Sequence, residues 1–192
     1  MSEPGTFTVI TGSMFSGKSE ELIRLIRRSL YAKKKVQVFK SALDDRWDTT
    51  SVITHTGVQL EAVAVKNTEE LRKLLKPDTH IIGIEEVQFF DEKIVPLCEE
   101  LVQKGKSVIA AGLDQDFRAK PFGVMPILLA LADEVIKLRA ICMKCGKVAS
   151  RTQRIINGRA AKWDDPIILI GAAETYEARC RKCHEIGVHG RK

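Results

Sequence analysis

The chain has 192 residues, of which 44% are hydrophobic, 29% are charged and 6% are aromatic, and its formal net charge is +6. This length predicts one domain, or one domain with a small appendage, whose core needs no disulfide bridges. No apolar run reaches the ~18 residues of a membrane-spanning helix, and the N-terminus lacks the pattern of a secretory signal. Because five cysteines without an export signal indicate metal ligands or free thiols, we expect a cytoplasmic protein.

A strand, a glycine-containing loop and a helix are predicted at the N-terminus. Phe7 to Thr11 is a β-branched run, and Glu20 to Leu30 has apolar side chains at helical spacing. The loop between them matches the phosphate-binding pattern G-x-x-x-x-G-K-[ST]. Its glycines let backbone N–H groups surround a polyphosphate, Lys18 supplies charge to the β- and γ-phosphates, and Ser19 can ligate Mg²⁺. The predicted phosphate site comprises Gly12, Ser13, Met14, Phe15, Ser16, Gly17, Lys18 and Ser19.

A polar loop follows the second predicted strand, which runs from Val36 to Phe39. The loop, Leu43 to Thr50, carries several charges and one tryptophan. In open α/β sheets ligands bind at the carboxyl ends of the strands, so Arg46 could contact a phosphate and Asp44 could hold Arg46 in place. An ordinary exposed loop is an equally good interpretation of the same residues.

The next predicted strand, His80 to Glu86, ends in two acids. It follows a short helix that opens with a capping box at Asn67 and Glu70. A continuous apolar run that ends in acids is typical of a buried parallel strand that delivers carboxylates to the ligand-binding edge. A nucleotide-binding protein has its second Mg²⁺-binding element at this place, normally an aspartate, and here the pair is Glu85-Glu86.

Helices and strands continue to alternate up to residue 140. Asp91 can cap a helix with an apolar face that includes Cys98, which we interpret as core. The following predicted elements are a strand at Ser107–Leu113, a polar loop at Asp114–Gly123, a helix at Val124–Ala132 and a strand at Glu134–Ala140. The alternation predicts an α/β fold in residues 1–140, with a mostly parallel sheet flanked by helices as in P-loop NTPases.

Two C-x-x-C pairs mark a different C-terminal region, residues 141–192. They are Cys142 with Cys145 and Cys180 with Cys183. Two such pairs predict a structural zinc site, because four thiolates complete the tetrahedral coordination of Zn²⁺. The bound ion and its thiolates would lower the net charge of the chain by two. His184 could substitute as a ligand, but a surface histidine is the favoured interpretation.

The segment between the cysteine pairs has the features of a cover for a planar ligand. Ser150–Ile156 and Arg159–Trp163 predict a β-hairpin that turns at Asn157-Gly158. An apolar run, Pro166 to Gly171, follows, and Tyr176 lies beyond it. A closed loop with an apolar rim and a tyrosine could cover such a ligand.

Together these motifs resemble the thymidine kinase family of the cellular type-II class, over nearly the whole chain. The resemblance rests on Gly12 to Ser19, on Glu86 to Phe90, on Leu113-Asp114, on Lys120 to Gly123 and on the two cysteine pairs. It implies ATP-dependent phosphorylation of thymidine, and of deoxyuridine, at the 5′-hydroxyl, which serves pyrimidine salvage for DNA synthesis. It also implies feedback inhibition by dTTP and a homotetramer, with no nucleic-acid or membrane partner.

The resemblance assigns roles to matching residues. Glu86 would be the general base, assisted by Lys18 and Arg46, while Ser19 and Glu85 would bind the Mg²⁺ that accompanies ATP. The C-terminal region would be the family's zinc-binding lasso, which closes over the pyrimidine. The implied thymidine-binding residues are Met14, Phe89, Leu113, Phe117, Phe122, Thr152, Ile167, Leu169 and Tyr176.

Glu85 departs from the family pattern, which has Asp-Glu at this position. Its extra methylene predicts Mg²⁺ handling that is retained but weaker, which the Mg²⁺ dependence of a Glu85→Asp variant would measure. Two other interpretations compete with the kinase. The net charge and the basic residues near the cysteines suit a nucleic-acid-binding ATPase with a zinc module, although aromatic residues for base stacking are sparse. A non-enzymatic zinc-stabilised interaction module would leave the acid pair unexplained.

Overall fold

The computed structural model describes residues 3–43, 51–53, 59–168 and 174–187. The strands are β1 (Phe7–Thr11), β2 (Val36–Ser41), β3 (Ser51–Ile53), β4 (Gln59–Glu61), β5 (Val63–Val65), β6 (Ile81–Glu85), β7 (Ser107–Gly112), β8 (Glu134–Lys137), β9 (Ala140–Ile141), β10 (Val148–Ala149), β11 (Arg151–Ile156), β12 (Arg159–Ala160) and β13 (Glu174–Arg179). The helices are α1 (Lys18–Tyr31), α2 (Thr68–Leu74), α3 (Ile94–Gln103) and α4 (Met125–Leu131), and a 3₁₀ turn spans Val87–Phe89. None of the helices in these ranges has the length and apolar character needed to cross a bilayer.

The central sheet is parallel throughout the described residues. Its strand order is β5-β2-β6-β7-β1-β8, and each neighbouring pair is parallel. The carboxyl ends of β1, β6 and β7 therefore meet at one edge of the sheet. The phosphate loop follows β1, Glu85 ends β6, and Leu113 follows β7, so that edge gathers all three.

Apolar side chains pack on both faces of this sheet. On one face Val9 of β1 and Ile84 of β6 lie in a buried cluster with Leu97 of α3. On the other face Ile10 of β1 packs with Leu22 of α1. Successive residues of β1 thus pack on opposite faces of the sheet, because side chains alternate along a strand. The mostly parallel sheet flanked by helices is confirmed.

Local predictions for residues 1–133 are largely confirmed. The strand Phe7–Thr11 has the predicted bounds, and Asn67 Oδ1 accepts a hydrogen bond of 2.9 Å from the Glu70 N–H at the start of α2. The Glu70 carboxylate, however, accepts from the N–H of Lys66, one residue before the cap. The apolar face predicted for α3 is buried, and burial raises the pKa of the Cys98 thiol on that face to about 12. Cys98 is therefore part of the core, as expected.

The prediction of a single strand at Glu134–Ala140 is wrong for the second half of that range. β8 ends at Lys137, the Leu138 N–H donates to the Thr11 carbonyl, and Ala140 begins β9, which pairs antiparallel with β10. Ile136 of β8 is half-buried against the core and Ala140 of β9 is buried, so the sequence offers inward-facing residues on both sides of this point. The chain changes sheets there, which the pattern does not show.

The C-terminal region contains a three-stranded antiparallel sheet with the order β12-β11-β13. The hairpin turn at Asn157-Gly158 is confirmed, since both residues have positive φ angles, 50° and 73°. Its second arm is shorter than predicted, because Lys162 N–H donates to Asp165 Oδ2 and forms a turn where a strand was expected. The strand β13 was missed, because its sequence Glu-Thr-Tyr-Glu-Ala-Arg is mostly polar.

The buried face of α1 predicts a clear difference between two leucines of that helix. Leu22 is fully buried, whereas Leu30 is 48% exposed. Leu22→Ala should lower the free energy of unfolding by about 2–5 kcal/mol, because it leaves a cavity. Leu30→Ala, the same substitution in the same helix, should cost less than about 1 kcal/mol. Urea denaturation of the two variants measures this, and equal losses would contradict the assigned core.

Candidate active site

The phosphate loop closes around its own lysine. Lys18, the first residue of α1, is buried, and its Nζ donates a hydrogen bond of 3.0 Å to the Ser13 carbonyl. Gly12 has φ +150°, and a Cβ there would lie 2.6 Å from the Leu138 carbonyl oxygen. The hydroxyls of Ser13 and Ser16 are buried, and neither has a hydrogen-bond partner among the described residues. These orphaned hydroxyls and the buried ammonium suit a loop that surrounds a polyanion.

Acidic side chains gather around this lysine. Burial lowers the pKa of the Lys18 ammonium, while nearby carboxylates oppose that shift. Those carboxylates belong to Glu86, Glu85, Asp114 and Glu20. The Ser19 hydroxyl donates a hydrogen bond of 2.5 Å to Glu85 Oε1, so the longer glutamate reaches the helix N-terminus. A hydroxyl and a carboxylate held together are oxygen donors of the kind that Mg²⁺ prefers.

Glu86 is held in a turn rather than in the strand. Its backbone is left-handed, with φ 52° and ψ 43°, and the 3₁₀ turn begins at the next residue. Glu86 Oε2 accepts a hydrogen bond from the Gln88 side-chain amide, and Gln88 Oε1 accepts one of 3.1 Å from the Leu113 N–H. Two acids adjacent in sequence therefore differ in their surroundings, because Glu85 contacts Ser19 and Glu86 contacts Gln88.

Four of the residues predicted to bind the nucleobase contact one another in pairs. The Met14 N–H donates to Thr152 Oγ1 at 3.0 Å, which joins the phosphate loop to β11. The rings of Phe89 and Phe122 meet edge to face, with centroids 5.6 Å apart. These contacts bring together residues that are far apart along the chain.

Other predicted residues stand apart from these contacts. Phe117 is buried beneath the guanidinium of Arg154, which lies 5.2 Å from the ring centroid. Tyr176 lies on β13, where it pairs in register with Arg154. Ile167 is 40% exposed. Arg46, its proposed partner Asp44, and Leu169 lie outside the described residues.

Sequence reasoning assigned no role to two polar residues at this edge of the sheet, Asp114 and Gln88. Asp114 was named only in a polar loop and in a family motif, with no role of its own, yet it is buried and forms an ion pair of 2.9 Å with Lys137. Gln88 was quoted only as part of a motif, although its amide contacts Glu86. The position of Asp114 directly after an apolar strand was the available signal, whereas the partners of Gln88 depend on the neighbouring strand.

His184 is not the surface histidine that the sequence favoured. Its ring is half-buried, and Nε2 lies 2.8 Å from the Phe117 carbonyl oxygen, to which it donates. Burial lowers the pKa of this imidazole. His184 therefore connects the segment next to Cys183 with a predicted nucleobase residue.

Four cysteines form a candidate metal centre. The sulfur atoms of Cys142, Cys145, Cys180 and Cys183 lie within 4.8 Å of one another. The Sγ atoms of Cys145 and Cys180 are 3.7 Å apart, close to the edge of about 3.8 Å of a tetrahedron with Zn–S bonds of about 2.3 Å. The four thiolates thus fit a structural Zn²⁺.

The parallel sheet, the phosphate loop after β1 and the acids at the same edge define a P-loop nucleotide-binding protein. A family model described as thymidine kinase matches residues 5–184. A thymidine kinase of Coprothermobacter proteolyticus is 52% identical over 186 residues, which cover 97% of this chain and 93% of the relative. The chain belongs to the thymidine kinase family, a family of phosphotransferases, which confirms the resemblance seen in the motifs.

The cysteine cluster predicts one bound zinc ion per chain. Cys145→Ser should lose that ion or bind it far more weakly, because the coordination sphere loses a thiolate. Cys98→Ala is the matched control, since Cys98 is buried in the core of the α/β domain. Metal analysis after dialysis against a chelator measures both. A full equivalent of zinc retained by Cys145→Ser would contradict the assignment.

Proposed function

We propose that this protein transfers the γ-phosphoryl group of ATP to the 5′-hydroxyl of thymidine, giving dTMP and ADP. Deoxyuridine is the second acceptor, and the reaction serves pyrimidine salvage for DNA synthesis. Membership of the thymidine kinase family supports the reaction class. The observation that carries the proposal is the placement of Glu86 in the electrostatic surroundings of Lys18. A phosphoryl acceptor needs its base beside the donor phosphates.

The phosphate loop binds and orients the donor. Lys18 exchanges its contact with the Ser13 carbonyl for the β- and γ-phosphates, and its charge opposes the charge that develops during transfer. The backbone N–H groups from Gly12 to Ser19 and the buried hydroxyls of Ser13 and Ser16 supply the remaining donors. Arg46, which follows β2 in the sequence, is assigned to orienting phosphate.

Ser19 and Glu85 are the residues that would hold Mg²⁺, which neutralises phosphate charge when it is bound. Their hydrogen bond of 2.5 Å already keeps the two oxygens together. Because Glu85 contacts Ser19 and Glu86 contacts Gln88, the two carboxylates have separate tasks. We assign Glu85 to the Mg²⁺ and Glu86 to the 5′-hydroxyl of the acceptor.

Glu86 acts as the general base. Gln88 occupies its Oε2, and we assign its other oxygen to the 5′-hydroxyl of the nucleoside. As the new P–O bond forms and the β–γ bridging bond breaks, the hydroxyl proton passes to this carboxylate.

The C-terminal region binds the nucleobase. We propose a division into a nucleotide-binding domain, residues 1–140, and a lasso domain, residues 141–192, clamped by Zn²⁺. The hydrogen bond between Met14 and Thr152 supports this role, because it joins the lasso to the phosphate loop. The described residues assigned to thymidine are Met14, Phe89, Leu113, Phe117, Phe122, Thr152, Ile167 and Tyr176. Covering the site would exclude water and limit hydrolysis of ATP.

Inhibition by dTTP and a homotetramer complete the proposal, with the cytoplasm as the compartment. A nucleoside triphosphate with a thymine base offers groups for both the phosphate loop and the lasso, which supports inhibition by the end product. Three exposed apolar residues on α4 and on the edge strand β8, Ile127, Leu131 and Val135, support self-association. Reduced thiols for zinc suit the cytoplasm.

The reaction is tested directly by product analysis. Purified protein with Mg²⁺, ATP and thymidine should give dTMP and ADP in equal amounts by chromatography, with no ADP when thymidine is omitted. Deoxyuridine in place of thymidine, and added dTTP, test the second acceptor and the inhibition. ADP formation without dTMP, particularly if DNA stimulates it, would contradict the proposal and favour a nucleic-acid ATPase.

Glu86→Gln should lower kcat by about 10²–10⁴-fold, since it removes the proton acceptor while keeping the side-chain volume. The Kd of ATP should change little, because Lys18 and the loop are untouched. Glu92→Gln is the matched control, as Glu92 is exposed. Turnover of Glu86→Gln equal to that of the unmodified enzyme would remove the base assignment.

A further inference from the structure

Gln88 makes two hydrogen bonds that connect two parts of the candidate site. Its side chain is buried, with only 3% of the residue exposed. The side-chain Nε2 donates to Glu86 Oε2, and Oε1 accepts from the Leu113 N–H at 3.1 Å. One amide therefore links the acid after β6 to Leu113 after β7, and Leu113 lies 25 positions beyond Gln88 along the chain.

The orientation of this amide follows from its partners. The oxygen and nitrogen of a glutamine side chain are similar in shape, so the hydrogen-bond network must assign them. The backbone N–H of Leu113 can only donate, so Oε1 must face it. The –NH₂ group then faces Glu86, whose ionised carboxylate can only accept. Both hydrogen bonds are made when Glu86 is ionised, the form that a general base needs.

Two glycines pack closely against Gln88, one at its side chain and one at its backbone. A Cβ at Gly112 would lie 2.5 Å from Gln88 Oε1, and a Cβ at Gly123 would lie 2.4 Å from the Gln88 backbone oxygen. Gly123 also has φ +50°, a conformation that larger residues rarely adopt. Gly112 thus leaves room for the amide and no more, while the close approach of Gly123 fixes the backbone from which the side chain extends.

The backbone of Glu86 needs such support. A non-glycine residue in the left-handed region is strained and persists where its surroundings fix it. The turn hydrogen bond from the Phe89 N–H to the Glu86 carbonyl, 3.1 Å long, fixes the backbone. Gln88 fixes the end of the side chain.

We propose that Gln88 is a positioning residue that orients the Glu86 carboxylate toward the acceptor hydroxyl. It also fixes this carboxylate relative to Leu113, one of the residues assigned to thymidine. The inference rests on the proposed function, because it takes Glu86 as the general base. Gln88 acts through Glu86 and through the Leu113 backbone. Its loss should therefore lower kcat far more than it raises the KM for thymidine.

Gln88→Met tests this role, because methionine keeps the length of the side chain and removes both hydrogen bonds. We expect kcat to fall about 10- to 100-fold, a loss within the range for misplacing a catalytic group. The KM for thymidine should change less than about threefold. An unchanged kcat, or a loss confined to KM, would overturn the proposal.

Gln37→Met is the matched control. Gln37 also bridges two elements, since its Oε1 accepts from the Lys76 N–H and the Thr79 hydroxyl and its Nε2 donates to the Leu74 carbonyl. It lies near the start of β2, at the end of the sheet opposite the active edge. This variant should lose stability and keep kcat. If it loses as much kcat as Gln88→Met, the effect is structural and the proposal fails.

Gln88→Glu tests the hydrogen bond to Glu86 separately from the one to the Leu113 N–H. A glutamate can still accept from the Leu113 N–H, but it places a second carboxylate against Glu86. Repulsion between two carboxylates so close should displace the Glu86 side chain, so kcat should fall about tenfold or more while the KM for thymidine changes less than about threefold. If Gln88→Met unfolds at a much lower temperature than Gln37→Met, its kcat does not report on positioning alone, and Gln88→Glu then tests the role of Gln88. A kcat equal to that of the unmodified enzyme would overturn the role.

A double variant distinguishes this inference from the base assignment. If Gln88 acts through Glu86, then adding Gln88→Met to Glu86→Gln should lower kcat by less than about twofold. Full multiplication of the two single losses would show that Gln88 acts independently and would overturn the inference. Normal turnover of Glu86→Gln would instead refute the proposed base. A large loss in Glu86→Gln with normal kcat in Gln88→Met would refute only the role of Gln88.

Discussion

The buried ammonium of Lys18 is the constraint on which the rest of the site depends. A cation removed from water requires opposite charge or hydrogen-bond acceptors nearby. Here the Ser13 carbonyl provides the acceptor, and the carboxylates at the ends of β6 and β7 provide the charge. The same acids are suited to metal binding and proton transfer, so the stability of the loop and its chemistry depend on one group of residues.

The parallel sheet is what makes that arrangement possible. Because every strand runs in the same direction, the loops after β1, β6 and β7 emerge at one edge. The C-terminal region joins this edge through Thr152 on Met14 and through His184 on Phe117. The four cysteine sulfurs bring the two ends of the intervening segment together, so a metal bound there would fix where that segment begins and ends.

Motifs with fixed local spacing were predictable, because their geometry is set within a few residues. The phosphate loop, the cap of α2, the buried face of α3 and the Asn157-Gly158 turn belong to this group. The errors occur where a pattern continues while the chain changes partner, as between β8 and β9, or where a polar strand is held by a neighbour, as in β13.

The sequence by itself determined the family, the α/β class, the phosphate loop and the four candidate zinc ligands, because each depends on residue types at short spacing. Only the tertiary structure decided which groups share a hydrogen bond across the site. Gln88 and Leu113 are 25 positions apart, Phe117 and His184 are 67 apart, and Met14 and Thr152 are 138 apart. Such pairs depend on strand order and on how the C-terminal region folds back. These follow from packing of the whole chain, and no local spacing encodes them.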